Sequence, residues 1–188
     1  VERARAALVA ELQPHVAAAY RTVAGDEHVT EIRLVTEVPD TEEAYAEALR
    51  ARRRDELDRG VSLLGPHRDD LDLELGGLLA RHYASRGESW SYALALRLAA
   101  AELIRHDAAG DPVVILDDVF AELDAGRRER LAEAVSGFEQ VLITAAVDDD
   151  VPGVLAGRRI RIAAGVVVED SAVADGAAAG GDEGAETS

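Results

Sequence analysis

Cysteine, methionine and lysine are all missing from the 188 residues, and each absence closes a class of explanation. Without Cys there are no disulfides and no thiolate metal sites, which agrees with a reducing compartment. Without Met even at position 1, either the initiator has been processed away or the sequence is part of a longer polypeptide. The lack of Lys is the most restrictive. All 20 basic residues are Arg, so a phosphate-cradling loop of the form G-x-x-x-x-G-K-[ST] cannot be present. Any nucleotide chemistry must borrow that loop from elsewhere.

Aromatic residues are scarce, with two Phe and one Trp. A core of Ala, Val and Leu favours tightly packed helices and strands over an aromatic-lined pocket. No apolar run approaches the roughly 20 residues of a membrane span, and no charged-then-apolar leader opens the chain. A soluble cytoplasmic protein is therefore expected. The net charge of −17 argues against the whole chain acting as a nucleic-acid clamp. Part of that excess is local: residues 169–188 carry six acids and no base among Ala, Gly and Ser, the composition of a disordered acidic tail.

What is present is enough for one domain with a real core, or a core and a small appendage. Leu8, Leu12, Val16, Tyr20 and Val23 recur at helical spacing, with Pro14 placed to kink that helix or to begin a second segment. Residues 30–34 alternate as a half-buried strand. Asp40, with Glu43 three residues on, predicts the start of a helix running to about Arg59 and stopping at Gly60. That helix is rich in Arg, but Asp55, Glu56 and Asp58 are interleaved, so an ion-paired solvated face is preferred to a DNA contact. Residues 61–64 read as a short strand before the polar turn Gly65-Pro66-His67-Arg68-Asp69-Asp70. Leu71 to Leu75 alternates strictly, Gly76-Gly77 signals a hairpin, and Leu78 to Tyr83 is its return strand.

Three stretches carry chemistry. Ser85 with Glu88 three residues later is a capping box, predicting a buried helix from there to about His106. Helix amino termini offer unpaired N–H groups and the positive dipole end, and Gly87 removes a side chain where a phosphate could approach. The same box also caps many helices that bind nothing. Val113 to Leu116 reads as a fully buried strand that delivers Asp117 and Asp118 to its carboxyl end, where open α/β sheets bind ligands. Alternation along the strand would send the two carboxylates in different directions, one to hold Mg²⁺ through water and one to orient an attacking water. The alternative is an Asp pair that merely starts a loop. Asp124 caps the next helix. Residues 140–144 form another buried strand, Asp148 to Pro152 a turn, and residues 158–168 a hairpin around Gly165. Three adjacent Asp at 148–150 rarely converge on one ion, so a metal site there is disfavoured.

In order and spacing, Ser85-Arg86-Gly87-Glu88, the helix after it, Leu116-Asp117-Asp118-Val119 and Glu122-Leu123-Asp124 resemble the signature motif, Walker B and D-loop of an SMC-like ABC-type ATPase head. With Gly65-Pro66-His67-Arg68-Asp69-Asp70 and Ala93-Leu94-Ala95-Leu96-Arg97-Leu98-Ala99, the match narrows to the RecF family of bacterial DNA replication and repair proteins, over about residues 1–165. The resemblance implies an α/β, P-loop NTPase fold. Residues 1–60 would be a portion of a helical arm, and 61–168 the carboxyl-terminal lobe of an ABC-type ATPase, beside the tail at 169–188. ATP in such heads is sandwiched within a homodimer. Ser85, Gly87 and Glu88 would meet the γ-phosphate of a partner-held nucleotide, Asp117 would support Mg²⁺, Asp118 would position water, and Asp124 would communicate across the dimer. Thr144 stands where many transporters of this class carry a switch His.

The resemblance further implies ATP-dependent dimerisation on DNA at single-strand gaps and duplex junctions, the SOS response, and cooperation with mediator proteins that load recombinase. The DNA surface is expected mainly in the lobe that carries the phosphate loop, and ATP hydrolysis is expected only when that lobe is present. Two other readings stay open. One is a non-catalytic dimerisation or partner-binding module of the same fold; the other is a Mg²⁺-dependent phosphohydrolase using Asp117, Asp118 and Asp124 directly.

Overall fold

The computed structural model describes residues 1–106 and 110–171. The expected acidic tail lies outside the described residues from 172 onward, and its first two members, Glu169 and Asp170, belong to a strand. Helix α1, Glu2–Ala24, buries Val16, Tyr20 and Val23. It runs through Pro14 without a break in assignment; the lost hydrogen bond and crowding at Pro14 are offset by the packing of that stripe. The helix ends at Gly25, whose φ of +70° is the left-handed cap that favours Gly. Arg130 closes the same end, donating to the carbonyls of Val23 and Ala24 at 3.1 and 3.0 Å.

Strand β1, Thr30–Val35, alternates as expected, with Thr30 and Ile32 buried. Helix α2, Glu42–Arg59, is capped by Thr41 rather than Asp40: the Thr41 hydroxyl accepts from the Ala44 N–H at 3.3 Å. It buries none of its residues. Residues 61–64 do not form the expected strand. The Leu63 N–H is taken by the Glu56 carboxylate at 2.7 Å, which leaves that backbone without a ladder partner. Strand β2, Asp70–Leu75, pairs antiparallel with β1, Thr30 opposite Leu75 and Val35 opposite Asp70. The hairpin at Gly76 and Gly77 is present, but its return strand β3 is only Leu78–Leu79. The chain then coils into the short helix α3, Ala80–Tyr83, because Ala80 is drawn into the core beside Val16 and Tyr20.

Helix α4, Arg86–His106, is the spine of the core. Leu94 and Leu98 serve a cluster with Leu116, Phe120, Leu131 and Val135. Tyr92, Ala95 and Ala99 serve a second cluster with Val16, Tyr20 and Ile32. The helix is not enclosed on all sides as expected, since Ala93, Arg97 and Ile104 face solvent. Strands β4, Val113–Asp117, and β5, Gln140–Thr144, pair in parallel, with helix α5, Ala125–Ser136, as their crossover.

The expectation that these strands are fully buried is corrected. Leu116, Val114, Val141 and Ile143 pack against α4 and α5, but Val113, Ile115 and Leu142 are 52%, 66% and 49% exposed. A two-stranded sheet covered on one face leaves the alternate side chains in water, and no described element lies over them. Strands β6, Ile160–Ala163, and β7, Val166–Asp170, form the closing hairpin. Ala164 and Gly165, at φ +49° and +78°, make its two-residue turn.

The division expected at residue 60 falls inside a shared sheet and core. The β1–β2 pairing crosses that point, and α1 contributes to both core clusters. Within 1–60 only α2 stands away from the core. Among the described residues, no helix is long and apolar enough to cross a membrane.

Candidate functional site

The amino terminus of α4 forms as the capping box predicts. The Ser85 hydroxyl accepts from the Glu88 N–H at 3.3 Å, and Glu88 Oε2 accepts from the Ser85 N–H at 2.7 Å. Hydrogen bonds from Ser85, reinforced by the charges of His28 and Arg127, hold the Glu88 carboxyl below the usual carboxylate range. Glu88 is thus committed to shaping the turn. Of the first N–H groups, which have no partner within a helix, those of Arg86 and Gly87 remain for an anion.

Gly87 has a tighter constraint than expected. A Cβ there would lie 3.0, 3.3 and 3.4 Å from NH1, NH2 and Cζ of Arg127. The absent side chain therefore makes room for a guanidinium, and the backbone at Gly87 lies against a positive charge.

The second site is the turn after β4. Thr144, opposite Asp117 in the sheet, donates its hydroxyl proton to Asp117 Oδ1 at 2.5 Å. The Asp118 N–H reaches back to the Thr144 hydroxyl and carbonyl oxygens, at 3.1 and 3.2 Å. Asp118 has left the strand: its φ of +52° is left-handed, so its direction is set by the turn and not by strand alternation. Both carboxylates are exposed at the carboxyl edge of the sheet.

This donor set fits Mg²⁺. Asp117 offers an exposed hard oxygen with one lone-pair direction fixed by Thr144, and Mg²⁺ ordinarily takes only one or two carboxylates beside water and phosphate oxygens. No group of three or more His, Cys, Asp or Glu gathers to hold a metal among the described residues. Direct use of Asp117, Asp118 and Asp124 together by a phosphohydrolase therefore has no support.

Asp124 caps α5 as predicted, accepting the Arg127 N–H at 3.0 Å through Oδ1. Its Oδ2 accepts from Arg127 NH1 at 2.7 Å. The backbone bond first, and the guanidinium charge after it, lower its carboxyl below the usual range. Asp124 remains 58% exposed.

The fold joins the first site to the third. Arg86 pairs with Glu122 at 2.9 Å, and Arg127 bridges from Asp124 to Gly87. Asp117 and Asp118 instead bond to β5 through Thr144. Sequence reasoning missed Arg127 and also His28, whose Nδ1 stands 3.9 Å from Glu88 Oε1 and 3.3 Å from Asp26. Neither carries a motif; each is placed by packing between segments far apart in sequence. Asp148 and Asp150, in the disfavoured metal cluster, pair with Arg161 and Arg128 at 2.8 Å. A surface cleft of about 380 Å³ lies between the starts of α1 and α2 and touches none of these sites.

No protein-family model matches the chain. Among curated proteins it is 50% identical to the DNA replication and repair protein RecF of Leifsonia xyli subsp. xyli, over 89% of this chain and 49% of that protein. It is 53% identical to RecF of Streptomyces avermitilis, over 85% of this chain and 44% of that one. The chain thus spans about half the length of the curated relatives it matches. Among solved structures, it resembles the recombination mediator protein RecF bound to ATP in the RecFOR pathway, with a TM-score of 0.73 and 23% identity, over 89% of this chain and 45% of that one. The ATPrS form matches with a TM-score of 0.70 and 24% identity, over 87% of this chain and 45% of that one. The structural likeness speaks for a shared mixed α/β fold, and the sequence identity, at half of the aligned positions, for descent: this chain is a homologue of about half of the DNA replication and repair protein RecF.

Proposed function

We propose that this chain supplies the signature and Walker B half of a RecF-type ATPase, acting on ATP whose phosphate loop lies on another lobe. Ser85 and the Gly87 backbone meet the γ-phosphate of a partner-held nucleotide, with Glu88 fixing their turn. Asp117 supports Mg²⁺, Asp118 orients water toward the γ-phosphate, and Asp124 reads the partner across a homodimer. Bound ATP and Mg²⁺ would supply the phosphoanhydride and its charge neutralisation. In the whole protein this serves ATP-dependent binding to DNA at single-strand gaps, recombinational repair and cooperation with mediator proteins that load recombinase. The observation that carries the reading is that the Ser85–Gly87 turn and the exposed Asp124 are joined through Arg127, as a shared docking surface for a second head requires.

The test mixes this chain with the full-length Leifsonia xyli relative and follows complex formation by sedimentation with ATP, ADP or no nucleotide. Association that depends on ATP and falls at least about tenfold on Ser85→Arg, which fills the phosphate cup, is expected. Equal association in all three conditions would instead support a non-catalytic dimerisation module, a reading favoured by the exposed apolar sheet faces.

A further inference from the structure

We infer that Arg127 is a positioning residue that makes the phosphate-facing turn at Gly87 and the interface acid Asp124 respond to one another. The inference rests on the nucleotide reading above but reaches a residue that no motif singles out.

Three observations support it. The guanidinium lies against Gly87 as a flat group, three of its atoms falling 3.0–3.4 Å from where a Cβ would be. The NH1 nearest to Gly87 also donates to Asp124 at 2.7 Å, while the Arg127 backbone N–H is bound by the same carboxylate at 3.0 Å. Its Nε is buried, with no hydrogen-bond partner among the described residues. An unpaired buried donor costs free energy, although the charge itself is paired with Asp124 and the side chain is 26% exposed. An aliphatic side chain would fill the same space without an orphaned donor but would lose the link to Asp124.

Geometry then dictates the consequence. Gly87 has no side chain to buffer a displacement, so a phosphate that draws its N–H outward relieves or tightens the contact with the guanidinium plane. NH1 moves with that plane, and Asp124 is the group to which NH1 is tied. Arg86, through Glu122 at 2.9 Å, adds a second, exposed link along the same seam. A coupling of this kind works in both directions: a partner that takes up Asp124 frees the guanidinium to face the anion at Gly87. The signature turn and the D-loop acid are then two ends of one element, not independent contacts.

Two measurements on the full 188-residue chain test this. In the first, no nucleotide is needed: the Gly87 amide resonance is followed by NMR as Asp124 is changed to Asn, which still caps a helix but loses the ion pair. A clear shift is expected in the parent chain and none in an Arg127→Gln background; equal shifts in both would overturn the inference. In the second, ATP-dependent association with the Leifsonia xyli relative is measured for Ser85→Ala, Asp124→Asn and the pair. The double variant should depart from the product of the single effects by at least about fivefold with Arg127 present, and should match that product in the Arg127→Gln background. A purely structural Arg127 would lower every affinity alike and leave that ratio unchanged, which would also refute the coupling. If the parent chain shows no ATP-dependent association at all, the functional reading fails, while the resonance measurement still decides whether Arg127 links the two turns.

Discussion

At the scale of single residues, Asp118 shows how backbone and chemistry select the same side chain. Its φ of +52° lies in the left-handed region, which Asp and Asn enter more readily than other non-Gly residues because a short polar side chain can bond locally. A β-branched residue there suffers crowding of its Cβ against the following carbonyl. An acid at this turn is therefore better supplied by Asp than by the longer Glu. Asp118→Asn should leave stability within about 0.5 kcal/mol of the parent, whereas Asp118→Val should lose about 1–2 kcal/mol, both read from urea unfolding. Coincident unfolding curves for the two variants would mean that the turn relaxes and the left-handed backbone exerts no selection. The Thr144 hydroxyl, which bonds to Asp117 and to the Asp118 N–H, explains why a hydroxyl suits the end of β5.

At the scale of elements, the start of α4 depends on one reciprocal pair of hydrogen bonds, so its stability should follow pH through Glu88. The folded-state pKa of Glu88 is lowered from 4.5. Its contribution is therefore complete above that value and is lost as pH falls through the lower folded value. Glu88→Gln keeps a capping side chain without the charge. The stability difference between parent and variant should be constant near neutrality and close progressively below pH 4.5; a difference that stays flat down to about pH 3 would place the effect elsewhere. Ser85→Ala, which removes the other half of the box, should cost about 1 kcal/mol at neutral pH. Elements of this sort are legible in the sequence because their signals are local. The capping box, the alternation of β1 and β2, the Gly76-Gly77 hairpin and the Asp124 cap each depend on residues within a few positions. The short β3, the irregular 61–64 segment and the place of Arg127 beneath Gly87 depend on partners in other segments or on the core that receives Ala80, and no local pattern encodes them. The apolar run Val113 to Leu116 reads as a strand and is one, yet such a run says only that both faces suit burial, not that this chain supplies both covers.

At the scale of the whole molecule, that uncovered side is the strongest sign of what the chain works with. Ile115 is 66% exposed on β4 and Leu142 49% on β5, while Ile162 and Val166 of the closing hairpin are 66% and 62% exposed. A single two-stranded hairpin is marginal by itself in water, and a parallel pair normally has both faces covered. Because the chain spans about half of its relatives, the expected cover is the half of a RecF sequence that this chain does not match. Covering Ile115 fully would recover roughly 1–2 kcal/mol from its remaining exposure, and several such side chains together would contribute to holding the two halves. The complementary half of the Leifsonia xyli relative, added to this chain, should quench binding of an apolar dye and raise the melting temperature by several degrees. Ile115→Asp should leave the isolated chain's own stability almost unchanged, because its side chain already faces water, but should weaken assembly by at least about tenfold, since the carboxylate would have to be buried unpaired. If Ile115→Asp instead unfolds the isolated chain, or if the complementary half assembles with it undiminished, these side chains belong to the chain's own surface and the second half must join elsewhere.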